Sequence, residues 1–352
     1  MSANPDLKPP SVPRSDNIHA PRAEEPLPAK MTSIQPGGGF CMACELAWGR
    51  VRRWYLRTFH KSYIERMRQC RRGRRGEYPH EILDPRDLKF HRNLGDFYWE
   101  EADDSFRWRD NLPVARVGLA EIIILGTGLL VGAAVLFWLF WPLAMVPLAL
   151  ALFVVLFFRD PQRKIPREPG VVVAPADGRV FSIREVEHDE FVSGPAVVID
   201  IFLSVFNVHI NRIPVPCRVL GITYRPGRFL NALRPEAARE NEWLEVRVES
   251  TVAPYRAMRI RQIAGAIARR VVCWTRPGDH LPRGDQFGMI KLGSRTELTI
   301  PKEAGLDVRV SKGQKVRAGS TIMARYAHDS PAPPADDLPD SEHAPGREDA
   351  ET

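Results

Sequence analysis

The stretch Phe287-Gly288-Met289-Ile290-Lys291-Leu292-Gly293-Ser294-Arg295-Thr296-Glu297 joins two strand-like segments through a Gly-Ser dipeptide. Polar and apolar residues alternate from Glu297 to Ile300, and Pro301 ends the pattern. One interpretation is a strand, a turn at Gly293-Ser294 and a second strand. In the alternative, the Ser294 hydroxyl attacks the carbonyl of Gly293, because a residue without a Cβ can adopt the strained backbone that such an attack needs. The dipeptide alone leaves both interpretations open.

Around this stretch, residues 159–327 consist of short β-type runs separated by Pro and Gly turns. Examples are Ala196–Leu203, Cys217–Tyr224 and Leu244–Ser250. Runs of this length and spacing predict a mostly β domain, built as a short-stranded barrel or sandwich.

Upstream of that domain, the 37 residues from Ile122 to Phe158 include no charged side chain. One membrane-spanning helix needs about 20 apolar residues, and Trp141-Pro142 divides the run into two helix-length halves. The sequence therefore predicts a two-helix membrane hairpin over residues 119–158, either spanning or re-entrant. A buried pair of soluble helices is the alternative. Arg116 before the run and Arg159 after it predict that both flanks lie on the cytoplasmic side of the cell (inner) membrane.

The remaining segments are polar or strongly charged. Residues 1–47 are rich in proline and residues 328–352 are acidic, so both are predicted to be disordered tails. Residues 48–118 form a basic, aromatic N-terminal extension, in which an apolar stripe from Trp48 to Met67 predicts a basic helix. Such a helix suits either an anionic membrane surface or packing on its own domain.

The net charge of +7 fits a partner that is nucleic acid or anionic lipid, and it also fits a basic enzyme. No aromatic-basic RNA-binding signature accompanies the charge, so we expect no nucleic-acid partner. The five cysteines have no regular spacing, and the CxxC pair Cys41 and Cys44 lacks a second pair of ligands. We therefore predict no metal site.

Three further motifs accompany Gly293-Ser294. The apolar run ends in Phe157-Phe158-Arg159-Asp160-Pro161, Asp177 lies in a predicted turn, and residues 206–212 read FNVHINR. Together with Leu292-Gly293-Ser294, these motifs in this order resemble the pyruvoyl-dependent phosphatidylserine decarboxylases of the shorter-chain (type A) class. The resemblance covers about residues 157–326.

The resemblance implies that Ser294 is a nucleophile, that His209 is its base, and that Asp177 orients the base. The chain would be cut after Gly293 into a β chain (1–293) and an α chain (294–352). The α chain would begin with a pyruvoyl cofactor derived from Ser294. This ketone would form a Schiff base with the amine of phosphatidylserine, so that carbon dioxide leaves and phosphatidylethanolamine is formed.

Arg212 and Phe206 are candidate substrate-binding residues: Arg212 either meets the carboxylate or phosphate of the substrate or simply pairs with an acid, and Phe206 packs near the site. Arg212 takes the place of a second histidine found in longer-chain members, which leaves open whether His209 serves cleavage, decarboxylation or both. The implied partners are phosphatidylserine, an anionic membrane, and further copies of the α/β pair in a homo-oligomer.

Two other classes of function remain open on the sequence. The turn Lys312–Gly319 and the many short strands fit a non-catalytic, lipoyl-like membrane scaffold. Residues 48–75 fit a tethered binder of anionic lipid or nucleic acid. A decarboxylase acting on a related serine-headgroup lipid would have the same chemistry and the same motifs.

Overall fold

The computed structural model describes residues 22–28, 31–74, 76–91, 94–95, 97–234, 236–266, 270–291 and 294–327. Its helices are α1 (Phe40–Phe59), α2 (Lys61–Gln69), α3 (Pro85–Leu88), α4 (Leu119–Phe157) and α5 (Ala237–Glu240). Short 3₁₀ turns at Glu101–Asp103, Arg107–Asn111 and Arg116–Gly118 precede α4.

The strands follow α4 in chain order. They are β1 (Val171–Val173), β2 (Gly178–Asp189), β3 (Gly194–Leu203), β4 (Ile210–Arg212), β5 (Cys217–Arg225), β6 (Trp243–Ser250), β7 (Ala257–Ile263), β8 (Arg270–Cys273), β9 (His280–Leu281), β10 (Gln286–Lys291), β11 (Ser294–Pro301), β12 (Leu306–Val308), β13 (Lys315–Val316) and β14 (Ile322–Tyr326). The mostly β domain predicted after residue 159 is confirmed.

A curled eight-stranded sheet with the order β13-β2-β3-β11-β7-β6-β5-β9 dominates this domain. Two three-stranded sheets, β4-β10-β8 and β1-β14-β12, pack with it. Strand β11 is central, antiparallel to β3 and β7, and buried along its whole length. Because side chains alternate along a strand, Leu298 and Ile300 enter the apolar core while Arg295 and Glu297 meet ion-pair partners on the opposite face.

Helix α4 is long and apolar, but it is not straight. Phe140, two residues before Pro142, has non-helical backbone angles (φ −162°, ψ 102°). The two ends of the element lie side by side, since the Ala115 N–H donates to the Phe158 carbonyl at 2.7 Å. A straight helix of 39 residues would separate its ends by about 58 Å. The chain therefore reverses direction near Phe140, one residue before the division expected at Trp141-Pro142.

The segment Arg116–Phe157 is long and apolar enough to cross a membrane by length and composition, with a mean hydropathy of 2.5. Only 6% of its most apolar window is buried inside the protein. A pair of soluble core helices would be mostly buried, so this exposure favours contact with lipid over the soluble alternative.

The prediction that residues 1–47 form a disordered tail is wrong for residues 22–28 and 31–47, and residues 1–21 and 29–30 lie outside the described residues. Met31 is 1% exposed in the core of the β domain, and α1 begins at Phe40. The Ile34 carbonyl accepts a hydrogen bond from the N–H of Cys273 on β8 at 2.9 Å. Proline-rich composition indicated disorder, but these apolar residues pair with strands more than 200 positions away. The acidic tail 328–352 also lies outside the described residues.

Candidate active site

Ser294 is the first residue of β11 and lies opposite Leu203, the last residue of β3. Its side chain is completely buried, and its Oγ has no hydrogen-bond partner among the residues that the structure describes. A buried hydroxyl without a partner costs about 1–3 kcal/mol, so such groups in native proteins call for an explanation in function. Gly293, the other half of the predicted cut, lies outside the described residues, as does Leu292.

The chain changes sheets at this point. Strand β10 ends at Lys291 in the sheet β4-β10-β8, whereas β11 begins at Ser294 in the eight-stranded sheet. The predicted cut therefore falls in the short connection between two sheets. The strands on both sides are held by their own ladders, so a cut in the connection leaves their hydrogen bonds in place.

His209 lies in the connection between β3 and β4 and is completely buried. Its Nδ1 is 2.9 Å from the carbonyl oxygen of Asn207. A carbonyl can only accept, so Nδ1 carries the proton and Nε2 has the lone pair of a base. The carbonyl of His209 accepts from the Ile290 N–H at 3.1 Å, which ties this connection to β10 four residues before Ser294.

The surroundings of the imidazole are apolar on one side. The ring of Phe157, the last residue of α4, has its centroid 4.5 Å from that of His209. Burial lowers the pKa of His209 from 6.5 to about 4, against the opposing effect of the hydrogen bond to Asn207. The side chain is therefore neutral at pH 7, as a general base must be before it accepts a proton.

Asp177 has different partners from those that the sequence implied. Its carboxylate accepts from the Arg163 guanidinium at 2.9 and 3.0 Å and from the Ala318 N–H at 2.8 Å. The tautomer of His209 is set by the Asn207 carbonyl instead. The reason is positional: the turn that carries Asp177 faces the segment at Ala318, whereas His209 points from the β3–β4 connection toward Phe157.

Arg212 and Phe206 are on either side of His209 in sequence but in different surroundings. Arg212, on β4, pairs with Asp160 at 2.8 Å and donates to the Gly284 carbonyl at 2.9 Å. Phe206 is 74% exposed and meets Phe153 of α4 edge-on, with centroids 6.2 Å apart. Arg212 therefore lies in a buried charge cluster, and Phe206 lies at the end of the apolar helix.

Sequence reasoning missed a buried amide network beside the cut. Asn211 is completely buried, and its Nδ2 donates to the Thr296 hydroxyl at 3.1 Å. Its Oδ1 accepts from the Gln262 side chain at 2.9 Å. The network joins β4, β11 and β7. Thr296 shares a face of β11 with Ser294, so the amides lie on the same side of the strand as the candidate nucleophile. The signal was present, because Asn211 is part of FNVHINR.

A second missed contact involves Lys291, two residues before the predicted cut. Its ammonium group pairs with Glu121 at the start of α4 and donates to the Gln35 side chain at 2.9 Å. Glu121 and Gln35 are buried and Lys291 is half-buried. The three residues connect β10 to the apolar helix and to the N-terminal segment. No sequence signal could have found this contact, since Glu121 and Gln35 are 170 and 256 positions away.

Within the described ranges, no group of three or more His, Cys, Asp or Glu side chains could hold a metal ion. The chemical groups described above are a buried serine hydroxyl, a neutral buried histidine, and a cluster of two Arg–Asp pairs. This set is suited to nucleophilic attack assisted by a base, followed by recognition of an anionic substrate.

Comparison with known proteins agrees with this chemistry. The family model for phosphatidylserine decarboxylase matches residues 150–324. A phosphatidylserine decarboxylase proenzyme of Rhodopirellula baltica is 53% identical over 239 residues, which are 68% of this chain and 99% of the relative. The proenzyme of Carboxydothermus hydrogenoformans is 42% identical over 62% of this chain and 98% of its own length. That of Symbiobacterium thermophilum is 47% identical over 56% and 91%. With Ser294, His209 and FNVHINR inside the matched region, this chain belongs to the phosphatidylserine decarboxylase family.

Proposed function

We propose that this protein is a phosphatidylserine decarboxylase that matures by cutting its own chain between Gly293 and Ser294. Family membership supports the activity, and the relatives' description as proenzymes supports maturation from a precursor. The observation that carries the proposal is the buried Ser294 hydroxyl without a hydrogen-bond partner among the described residues.

In the proposed maturation, Nε2 of His209 takes the hydroxyl proton of Ser294. The oxygen then bonds to the carbonyl carbon of Gly293, and the peptide C–N bond breaks as the nitrogen takes up the proton from His209, which converts the amide into an ester. Loss of the Ser294 Cα proton expels the ester oxygen as the carboxylate of Gly293, which separates the chains and leaves dehydroalanine at position 294. Water hydrolyses its imine tautomer, and the nitrogen leaves as ammonia, which produces the pyruvoyl group. The low pKa of His209 supports this role, because the imidazole is neutral and ready to accept a proton at pH 7.

A pyruvoyl group derived from Ser294 would occupy the same buried position at the start of β11. The residues present fit such a group. Replacing Ser294 by a pyruvoyl group removes its Oγ, and this Oγ makes no hydrogen bond with a described residue that would be lost. When present, the ketone supplies an electron sink for the loss of carbon dioxide from an amine-bearing headgroup.

The chain's own residues position the headgroup and handle its proton. Arg212 and Arg163 lie in a charge cluster next to β4, in which Asp160 and Asp177 hold the guanidinium groups in place. We propose that the N–H donors of these guanidinium groups bind the carboxylate or phosphate of the headgroup. His209 is placed to hold or return a proton, and Phe206 covers the site at the end of α4.

The same geometry supports a position at the membrane surface. The imidazole of His209 contacts Phe157, the last residue of the apolar helix, so the site lies where the chain leaves the apolar layer. We propose that α4 enters the membrane as a two-helix hairpin that reverses near Phe140. Arg116 and Arg159 would then keep both ends on the cytoplasmic face of the cell membrane. A two-tailed lipid substrate stays in the bilayer, so a site at its surface is required.

The two chains would remain one molecule after the cut. Strand β11, at the start of the α chain, pairs with β3 from Ser294 to Pro301 and with β7 from Arg295 to Thr299. Apart from the Ser294–Leu203 pair at its edge, these ladders lie to one side of the peptide bond that is cut. A homo-oligomer of such α/β pairs remains a prediction.

Intact-mass measurement of the protein purified from membranes tests the proposal. We expect a fragment of residues 294–352 that is lighter by one ammonia than a chain starting with serine, together with release of carbon dioxide from phosphatidylserine. Ser294→Ala should give one uncut, inactive chain. A single uncut wild-type chain from active membranes would remove the basis of the proposal. Assays with other serine-headgroup lipids in parallel distinguish the substrate.

A further inference from the structure

A cavity of about 530 Å³ lies between the N-terminal extension and the β domain, away from Ser294. Its walls come from α1, from the α3 region, from the residues that lead into α4, and from Trp274, Arg276 and Gln286 of the β domain. Sites for small ligands commonly have volumes of about 300–1,000 Å³. The cavity is therefore large enough for a ligand, and neither the proposed maturation nor the proposed decarboxylation uses it.

The lining of this cavity has an excess of positive charge. Seven Lys or Arg side chains face it, against four Asp or Glu side chains. The carboxylates and cations are not paired one to one. Asp87 pairs with both Arg52 and Arg53, whereas Arg116 pairs with both Asp104 and Asp110. The carboxylates are therefore all paired with some of the cations, and the remaining cations have no carboxylate partner.

Arg109 and Arg276 are the cations left over. In the part of the chain that the structure describes, neither guanidinium forms an ion pair with a carboxylate. Arg109 stacks instead on the rings of Phe106 and Trp108, at 4.7 and 5.7 Å from their centroids. Stacking holds the guanidinium in place while its N–H donors remain available to an anion.

Arg52 and Lys89 also indicate a surplus of positive charge, although they pair with Asp87 and Glu45. The Nε of Arg52 is buried and has no hydrogen-bond partner among the described residues. Burial, together with the cations Lys291, Arg109 and Arg116, lowers the pKa of Lys89 to about 8 in spite of Glu121. Both features indicate a site whose positive charge exceeds that of its carboxylates. An anionic ligand would compensate the excess positive charge.

The position of the cavity indicates where the anion comes from. Arg116 and Val117 line it, and the candidate membrane span begins at Arg116. Leu46 and Trp48 of α1 also line it and are 38% and 65% exposed, so the cavity has an apolar, solvent-accessible rim. A cationic cavity at the start of a span, with an apolar rim, faces lipid headgroups.

We propose that this cavity binds the phosphate-bearing headgroup of one anionic phospholipid, held by Arg109 and Arg276, as a lipid site separate from the one at Ser294. The acyl chains would extend past Trp48 along the apolar surface of α4. The N-terminal extension thereby gains a role, since it supplies most of the walls of this site.

Native mass spectrometry of the full-length protein released from detergent tests the proposal, with phosphatidylglycerol as the probe. This lipid is anionic but has no amine, so it cannot react as a substrate at the site of Ser294. We expect one phosphatidylglycerol per chain to be retained by the wild type. Arg109→Gln with Arg276→Gln should bind it at least about tenfold more weakly, because a charge-assisted hydrogen bond contributes at about that level.

The matched control is Arg50→Gln with Arg225→Gln, which removes the same charge from exposed arginines outside the cavity. It should bind phosphatidylglycerol like the wild type. Arg109→Lys with Arg276→Lys keeps the charge and should restore a large part of the binding. Chain cutting and carbon dioxide release from a short-chain phosphatidylserine should persist in the Gln pair, which shows that the variant is folded.

Equal retention of phosphatidylglycerol by the wild type and the Gln pair would overturn the proposal, as would equal weakening in the control. If millimolar inorganic phosphate displaces the lipid completely and binds with the same dependence on Arg109 and Arg276, the ligand is free phosphate and the lipid assignment is wrong. The measurements of lipid and phosphate binding do not depend on decarboxylation, so failure of the proposed activity would be seen separately.

Discussion

At the scale of single residues, His209 owes its base character to burial and to one backbone carbonyl. The apolar contact with Phe157 removes water from the ring, and the Asn207 carbonyl fixes the proton on Nδ1. Both effects act before any substrate is present. The candidate base is therefore prepared in the precursor, which is the form that has to cut itself.

The rate of chain cutting should be independent of pH near 6.5, the usual pKa of histidine. Because burial lowers the pKa of His209 to about 4, the neutral base persists through pH 5, and the rate should fall to half only near pH 4. His209→Gln, which keeps a hydrogen-bonding side chain but has no base, should slow cutting by about 100-fold or more. Time courses of precursor disappearance measure both effects. A midpoint near 6.5 in the wild type would contradict the role of burial.

The same shift affects stability. The folded state has the lower pKa, so protonation favours the unfolded state: stability is complete above pH 6.5 and is lost as the pH falls toward 4. The difference in unfolding free energy between the Ser294→Ala precursor with His209 and with His209→Gln should change by about 3 kcal/mol between pH 7 and pH 4. Denaturant titrations at several pH values measure it. A constant difference would mean that the ring titrates alike in both states.

Asp177 separates two interpretations of the site. If it orients His209, Asp177→Asn should slow cutting as much as His209→Gln does. The contacts with Arg163 and the Ala318 N–H predict instead a loss of stability of about 3–5 kcal/mol, because a largely buried guanidinium is left without its partner. Arg163→Gln should then reproduce the effect. Thermal unfolding and cutting rates of the three variants decide the matter, and a cutting defect shared only by Asp177→Asn and His209→Gln would restore the triad.

At the scale of secondary-structure elements, β10 and α4 are connected by charge as well as by apolar packing. Lys291 and Glu121 form a largely buried ion pair, with side chains that are each 11% exposed. The pair lies two residues before the predicted cut, so it holds the end of the β chain against the helix that leads into the membrane.

Breaking this pair should cost more than replacing it. Glu121→Gln leaves the Lys291 ammonium buried without its counter-charge and should lower the unfolding free energy by about 3–5 kcal/mol. The double variant Glu121→Gln with Lys291→Met removes both charges and should recover most of that loss. Thermal unfolding in detergent compares the two. If the double variant is as unstable as the single one, the pair is not the source of the effect.

At the scale of the whole molecule, the N-terminal segment is part of the β domain in space although it lies far from it in sequence. Met31 enters the main core, Ile34 pairs with β8, and Gln35 contacts Lys291. The extension and the β domain therefore fold together, and the cavity between them exists only in the intact chain.

A truncation series should show this dependence. A chain that starts at residue 22 should keep normal stability and chain cutting, whereas one that starts at residue 40 should lose stability, because the core loses Met31. Met31→Ala in the full chain should cost about 2–5 kcal/mol, as expected for a large apolar side chain removed from a core. Unfolding in detergent measures each variant. Equal stability of the two truncated chains would show that the segment only rests on the domain.

Some features of this protein follow from the sequence alone, because they depend on local order along the chain. The alternation from Glu297 to Ile300 indicates the strand that becomes β11, the uncharged run predicts the apolar helix, and FNVHINR with Leu292-Gly293-Ser294 indicates the family. Each of these signals lies within a dozen or a few dozen neighbouring residues. Hydrophobic periodicity and short motifs are local properties, so they survive without knowledge of the fold.

Other features were decided only by tertiary structure. The partner of His209 is a backbone carbonyl instead of Asp177, the partner of Lys291 is 170 positions away, and the segment 31–47 is ordered by strands at the other end of the chain. The excess charge of the cavity likewise depends on which acids meet which cations. These outcomes depend on long-range packing, because burial and distance determine both the partner and the pKa of a group. Neither burial nor distance can be read from the order of the residues.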